Sequence, residues 1–338
     1  MMCREKSSDS LPRSDLMKTG LKVIFVVGKG GVGKTTCAAA LTLSLSKSFN
    51  TLIVSLDPAH SLGNIFGTPL LGKTKEIAPN LSAMEVNMEH AIEDYLRESA
   101  RKLRDMYSYL KTINLEGYLD TIRLSPGIEE YATLEETERI ISESEGKHEI
   151  IVFDTPATGL TLRVLALPQI SLLWGEKLVK LRKQILSKRA VMEKVEGERK
   201  FVLDGKEFKL STTEEKDEVM QELLKYMRQV QKVRELQVDA GRCQVMTIMN
   251  PDRLSFFETQ RTLNILKQLG MPIGTIVMNK FSGRQQELEA VVKAEATFGR
   301  QIIKVPLLGT EPVGMRPLEE FSEYLNAKEW LPPGGGDN

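Results

Sequence analysis

Residues 28–36 read "GKGGVGKTT" and directly follow the apolar run "LKVIFVV" at 21–27. An apolar run, a glycine-rich loop, Gly-Lys-Thr and a helix-forming stretch, in that order, meet the G-x-x-x-x-G-K-[ST] pattern of a phosphate-binding loop in its proper context. Gly28, Gly30, Gly31 and Gly33, with Val32 between them, let the backbone close tightly around phosphates with several N–H groups turned inward. A helix opening near Lys34 adds the positive end of its dipole. Lys34 is placed to reach the β- and γ-phosphates and Thr35 to ligate Mg2+, with Thr36 completing the loop. The bland alternative is a glycine turn before a buried helix. The pattern needs only one lysine, so Lys29, directly after the first glycine, requires its own account; its bland role is a solvated loop lysine.

The chain has 338 residues, 41% hydrophobic and 27% charged, which suits a globular protein with a sizeable core. Lys+Arg and Asp+Glu both number 46, so no charge excess argues for a nucleic-acid partner. Cys3, Cys37 and Cys243 lie far apart, with no C-x-x-C pair and no Cys/His cluster, so no zinc site within one chain is expected. That cysteine usage fits a reducing compartment, and a cytoplasmic location is expected. No run of about 18 apolar residues suggests a transmembrane helix. The stretch "MMCREKSSDSLPRSD" lacks the apolar core of a signal peptide. Residues 1–18 read as a disordered extension and 331–338 as a flexible tail.

Short β-rich runs recur at 21–27, 51–57, 81–86, 149–155, 244–250, 274–279 and 301–307, each followed by a helical pattern. Continuous apolar runs indicate strands buried on both faces, and their alternation with helices indicates βαβ units. The fold class is therefore α/β: a doubly wound, mostly parallel sheet of the P-loop NTPase type over 19–330, with an inserted α-helical subdomain. The insertions fall at about 89–120 and 171–236. The first carries Ile92, Tyr95, Leu96, Leu103, Met106, Tyr107 and Leu110 at helical spacing. The second carries two stripes, Trp174, Leu178, Leu181 and Ile185, then Val219, Leu223, Met227, Val230 and Val233. Between them "FVLDGKEFKL" (201–210) has the Asp-Gly signal of a hairpin.

Two further motifs lie at strand ends. In "LDPAHSLGNIFG" (56–67), Asp57 stands where a γ-phosphate is expected, and its carboxylate can serve an attacking water as a base or as a positioning group. Its bland role is turn chemistry before Pro58. His60 is read as a switch-loop residue. In "FDTPATGLTLRVLALP" (153–168), Asp154 occupies a position from which Mg2+ is held directly or through water, so the Mg2+ set is Thr35, Asp57 and Asp154. Gly159 is expected to let that loop move.

"GKGGVGKT" resembles the deviant Walker A loop of the signature-lysine ATPases, the class that includes MinD, ParA, the nitrogenase iron protein and the ArsA/Get-type ATPases. The two switch-like motifs, "PGIEE" (126–130), "NPDRLSFFETQR" (250–261) and the segment from "VMNK" to "VPLLGTEPVG" (277–314) resemble the ArsA/Get-type family in particular, over roughly 21–325. The resemblance implies an ATP-hydrolysing homodimer with nucleotides at its interface. Lys29 would then reach the partner's nucleotide, as an arginine finger supplied in trans does. It implies that Asp57, Lys29 and Lys34 carry catalysis with ATP and Mg2+. It implies that Asp252 and Asn279 contact nucleotide, Asn279 reading adenine, while Pro306 and Leu307 flank the base. It also implies capture of hydrophobic, tail-anchored membrane-protein segments by the helical subdomains, and delivery to a membrane receptor. The alternatives are an ArsA-like metalloid or anion pump subunit and a ParA/MinD-type positioning ATPase.

The sequence departs from that family in places. The stretch 280–304 has no cysteine where the targeting ATPases carry a zinc-binding C-x-x-C, so dimerisation without zinc is expected. Leu160 stands where many members have His, and Ser61 where an Asn often follows "DPAH". There is no thiol cluster for a metalloid. The acidic, Gly-rich C-terminus offers no basic face or membrane helix. Met84, Met88, Met106, Trp174, Met192, Met220 and Met227 suit either an adaptable client groove or an ordinary core. The charged run 180–200 suits a solvated face or a lid.

Overall fold

The computed structural model describes residues 20–106, 122–123, 125–197, 200–203 and 206–325. The expected terminal extension and tail, Tyr107 and Leu110 of the first insertion, and the Asp-Gly of the hairpin turn lie outside the described residues. The described residues divide into two compact units: those within 20–86, 140–158 and 237–325 form the first, those within 87–139 and 159–236 the second.

The first unit is built on an eight-stranded sheet. Its strands are β1 (Lys22–Gly28), β2 (Thr51–Ser55), β3 (Lys75–Ala78), β4 (Leu81–Glu85), β5 (Ile150–Asp154), β8 (Cys243–Met249), β9 (Ile273–Phe281) and β10 (Ile302–Pro306). The order is β10-β9-β8-β1-β5-β2-β4-β3, parallel except for β3, which runs antiparallel to β4. Every β-rich run read from the sequence is a strand. The edge strand β3 was not expected: "KEIA" is short, polar and partly exposed, and its pairing is interrupted between Glu76 and Ala78.

β1 lies at the centre because all its residues are buried, and it pairs with β5 on one side and β8 on the other. Strand order reverses there, and in open α/β sheets such reversal opens a crevice at the carboxyl ends of the strands. Helix α1 (Lys34–Ser46) covers this part of the sheet with Ala38, Ala39, Ala40 and Leu41, all fully buried. Small side chains let the helix approach closely, and Val26, Ile53, Val152, Ile248 and Val277 complete that core. The remaining helices of this unit are α2 (Ser61–Phe66), α7 (Arg253–Gln268), α8 (Gln285–Phe298) and α9 (Met315–Ser322).

The second unit is helical. It comprises α3 (Met88–Met106), most of α4 (Ile128–Ser144), α5 (Thr158–Glu196), the antiparallel hairpin β6 (Lys200–Leu203) and β7 (Lys206–Lys209), and α6 (Glu218–Val238). Leu134, Val164 and Val233 form a core there, with Leu160 and Leu167 packed against it. Helix α5 runs for 39 residues, straight through Pro168. Gly159, expected in a mobile loop, is the second residue of this helix. A part-buried ion pair ties α5 to the start of α6: Arg182 donates twice to Asp217 at 2.8 Å, and Asp217 also accepts the Met220 N–H. The two apolar stripes part company. On α6, Val230 and Val233 are buried, whereas on α5 Trp174, Leu178 and Leu181 are exposed. Of the methionines, Met84, Met88 and Met220 are buried core residues and Met192 is exposed. Among the described residues no helix is long and apolar enough to cross a membrane.

Candidate active site

The glycine-rich loop leaves β1 at Gly28 and enters α1 at Lys34. A Cβ on Gly28 would stand 2.4 Å from the Ile248 carbonyl oxygen on β8, so only glycine fits beside that strand. Gly33 has φ 90°, and a Cβ there would stand 2.4 Å from Asn279 Nδ2. That same Nδ2 donates to the Val32 carbonyl at 2.7 Å. Lys280, with φ 57°, donates through Nζ to the Gly31 carbonyl at 2.9 Å. Lys34 is buried, and Thr35 and Thr36 are half-buried in the first turn of α1. Lys29 is half-buried, next to the exposed Gly30 and Gly31.

Asp154, the last residue of β5, pairs in register with Val26 on one side and Ser55 on the other. Ser55 Oγ donates to its Oδ2 at 2.9 Å. Its Oδ1 is buried with no hydrogen-bond partner among the described residues. Burial pushes this carboxyl up to about 6, against the pull of the Thr35 and Ser55 hydroxyls and the Lys34 ammonium, and nearby Asp57 adds to the rise. A buried carboxylate oxygen left without a hydrogen-bond partner, beside the Thr35 hydroxyl and a loop shaped for phosphates, fits a hydrated divalent cation.

That raised value makes a stability prediction. A carboxyl at about 6 in the folded chain, against 3.8 ordinarily, binds its proton more tightly when folded. Its contribution is full at low pH and is lost as pH rises through about 6. Asp154→Asn should therefore stabilise the nucleotide-free protein at pH 8, by up to ~3 kcal/mol, while the gain vanishes near pH 4. Urea melts of both proteins across that range, without Mg2+, test this; a gain independent of pH would contradict it.

Asp57 follows β2 and is half-exposed; its Oδ1 accepts the Ala59 N–H at 3.0 Å, the turn contact suggested by Pro58. His60 adopts φ 49°, and its Nδ1 is buried without a partner among the described residues. Asp252 caps helix α7, accepting the Ser255 N–H at 2.8 Å. Pro306 ends β10, and the Leu307 N–H donates to the Phe281 carbonyl at 2.9 Å, leaving the Leu307 side chain exposed.

The loop, Asp57, Asp154, Asn279 and Pro306 thus all lie at the carboxyl ends of strands of one sheet. Sequence reasoning missed Ser55, Lys280, Asn250, whose Oδ1 is buried and unpartnered among the described residues, and Thr155, whose hydroxyl donates to the Val26 carbonyl at 2.7 Å. Only Lys280 had a visible signal, its place directly after Asn279 in "VMNK".

Comparison with known proteins places the chain in a family. The family model described as "Anion-transporting ATPase" matches residues 21–327. A protein of Aquifex aeolicus (strain VF5) named as an arsenical pump-driving ATPase is 30% identical over 319 residues, which cover 90% of this chain and 99% of the relative. A Pyrenophora tritici-repentis protein named "ATPase get3" is 28% identical over 340 residues, 95% of each chain. A further arsenical pump-driving ATPase by name, from Chlorobaculum tepidum, is 30% identical over 325 residues, 90% of this chain and 75% of the relative. With the family match running from β1 to beyond α9 and a phosphate-binding loop at the reversal point of the sheet, the chain belongs to the anion-transporting (ArsA-type) ATPase family and is an ATP-hydrolysing enzyme.

Proposed function

We propose that the protein is an ATP-switched cytoplasmic homodimer that captures the apolar segments of tail-anchored membrane proteins and hands them to a membrane receptor, closing on ATP and opening after hydrolysis. The client half rests on one observation. Ile170, Leu173, Trp174, Leu178 and Leu181 form an outward row on α5, each between 43% and 62% exposed. Spacings of three and four residues put them on one helical face, and a contiguous apolar face of this kind marks an interaction surface. A transmembrane helix is the partner whose chemistry it matches.

The ATPase half assigns roles at the sheet's carboxyl edge. Lys34 and the loop amides of Gly28–Thr36 hold the β- and γ-phosphates. Thr35 and Asp154 hold Mg2+, with Asp57 near it through water; bound there, the ion offsets negative charge on the phosphate oxygens. Asp57 aligns the attacking water. Lys29 lends its charge to the partner's nucleotide. Asn279 reads adenine, while Pro306 and Leu307 wall the base. Asp252 acts through the cap it makes, setting where α7 begins beside the base.

The test uses a Leu173→Ser, Trp174→Ser, Leu178→Ser triple variant, which removes the row without touching the loop. It should lose co-purification of a tail-anchored transmembrane peptide while its basal ATPase rate stays within about twofold. Peptide capture at the parent level would sink the client reading. The pump reading draws on the names of several relatives. Against it, Cys37 and Cys243 are buried with thiols pushed up by burial to about 12, poor material for binding a soft metalloid. Arsenite and antimonite should leave the ATPase rate unchanged; stimulation of several-fold would favour the pump.

A further inference from the structure

Asn279 and Lys280 are consecutive residues of β9, and consecutive strand side chains normally point to opposite faces. Here both reach the same loop. The left-handed backbone at Lys280 (φ 57°) turns the strand end so that its ammonium meets the Gly31 carbonyl at 2.9 Å, while Asn279 meets the Val32 carbonyl at 2.7 Å. A lysine in this conformation is uncommon, and such residues persist where the surrounding structure holds them for a purpose.

The loop has a specific need for these contacts. When its N–H groups turn inward toward phosphates, its carbonyls turn outward and need partners of their own. With Gly30, Gly31 and Gly33 in sequence, the free loop has many competing conformations, and ordering it costs affinity. Two donors on neighbouring carbonyls hold it in the receptive shape before nucleotide arrives. We infer that Asn279 and Lys280 form a two-point brace on the phosphate loop, which makes Lys280 a positioning residue for nucleotide binding and gives Asn279 a duty beyond the adenine. The inference rests on nucleotide occupying this loop. A parent protein that failed to bind MgADP would refute that premise, not the brace.

The brace is blind to the base and to the γ-phosphate, which separates it from other roles. Lys280→Met keeps an unbranched side chain of similar reach on the same backbone (φ 57°) but removes the charge-assisted bond. It should raise the Kd for MgADP, for a non-hydrolysable MgATP analogue and for inorganic tripolyphosphate alike, by about 5- to 10-fold. Lys280→Arg should restore binding to within about twofold of the parent. The melting temperature of the nucleotide-free protein should hold, since Lys280 is exposed. Unchanged Kd values for Lys280→Met would overturn the inference. So would a loss confined to the ATP analogue, which would place Lys280 on the γ-phosphate instead. Asn279→Ala gives an independent reading, because tripolyphosphate carries no adenine. Weaker tripolyphosphate binding supports the brace, and binding at parent strength removes Asn279 from it.

Discussion

Lys34→Ala is expected to abolish tight Mg-ATP binding, raising Kd on the order of 100-fold or more, because the β- and γ-phosphates lose their fixed counter-charge. The site makes this a clean experiment. Lys34 is the first residue of α1 and only 7% exposed, so most of its side chain is shielded from solvent. Alanine is the best helix former and leaves the start of α1 intact. The Lys34 ammonium helps hold the Asp154 carboxylate in its charged form, so the variant's Asp154 should take up a proton at still higher pH. Calorimetric titration with Mg-ATP, alongside thermal melts, decides the matter. A stable variant that binds Mg-ATP as tightly as the parent would remove "GKGGVGKTT" from the phosphate site.

What was legible in the sequence was local. The loop is contiguous, and its glycines, lysine and threonine state their chemistry in a few positions. Buried parallel strands announce themselves as unbroken apolar runs, which is why β1, β5 and β8 could be read directly. The supports of the site were not legible, because their partners are distant in the chain. Ser55 and Asp154 are 99 positions apart, Asn279 and Val32 247, and Lys280 and Gly31 249. No pattern in a single sequence links such pairs; only the order of strands does. The helical unit shows a different limit. The stripes on α5 and α6 share the same spacing, yet one is mostly exposed and the other half-buried to buried. Periodicity shows that a helix has an apolar face but not what that face meets. Pro168 lies inside α5. It lacks one N–H and usually ends or kinks a helix, but flanking turns packed through Val164 and Leu167 carry α5 past it.

The second large effect concerns Lys29, whose presence the single-lysine loop pattern leaves unexplained. Lys29 sits beside two exposed glycines, on the outer part of a loop whose inner part ends in the buried Lys34. Lys34 is thus enclosed, and Lys29 is only half-buried. If it acts in trans, Lys29→Ala should bind Mg-ATP nearly as well as the parent, since Lys34 and the loop amides remain. Its hydrolysis should fall by about 1,000-fold, the scale on which a trans-acting cation contributes to phosphoryl transfer. Asp57→Asn should also bind ATP yet hydrolyse it orders of magnitude more slowly. An asparagine oxygen can still accept the Ala59 N–H, so the turn that holds position 57 should survive the substitution. Mixing the two inactive proteins then separates the two models. In a heterodimer, the subunit that carries Lys29→Ala keeps its own Asp57 and receives Lys29 from the Asp57→Asn partner, so one of the two sites is complete. With random exchange of subunits in a symmetric dimer, about a quarter of all sites regain a full set, and roughly that share of parental activity should return. A lysine that serves its own subunit's nucleotide leaves both sites of the heterodimer broken. Mixing would then restore nothing, and the assignment of Lys29 to the partner's active site would fall.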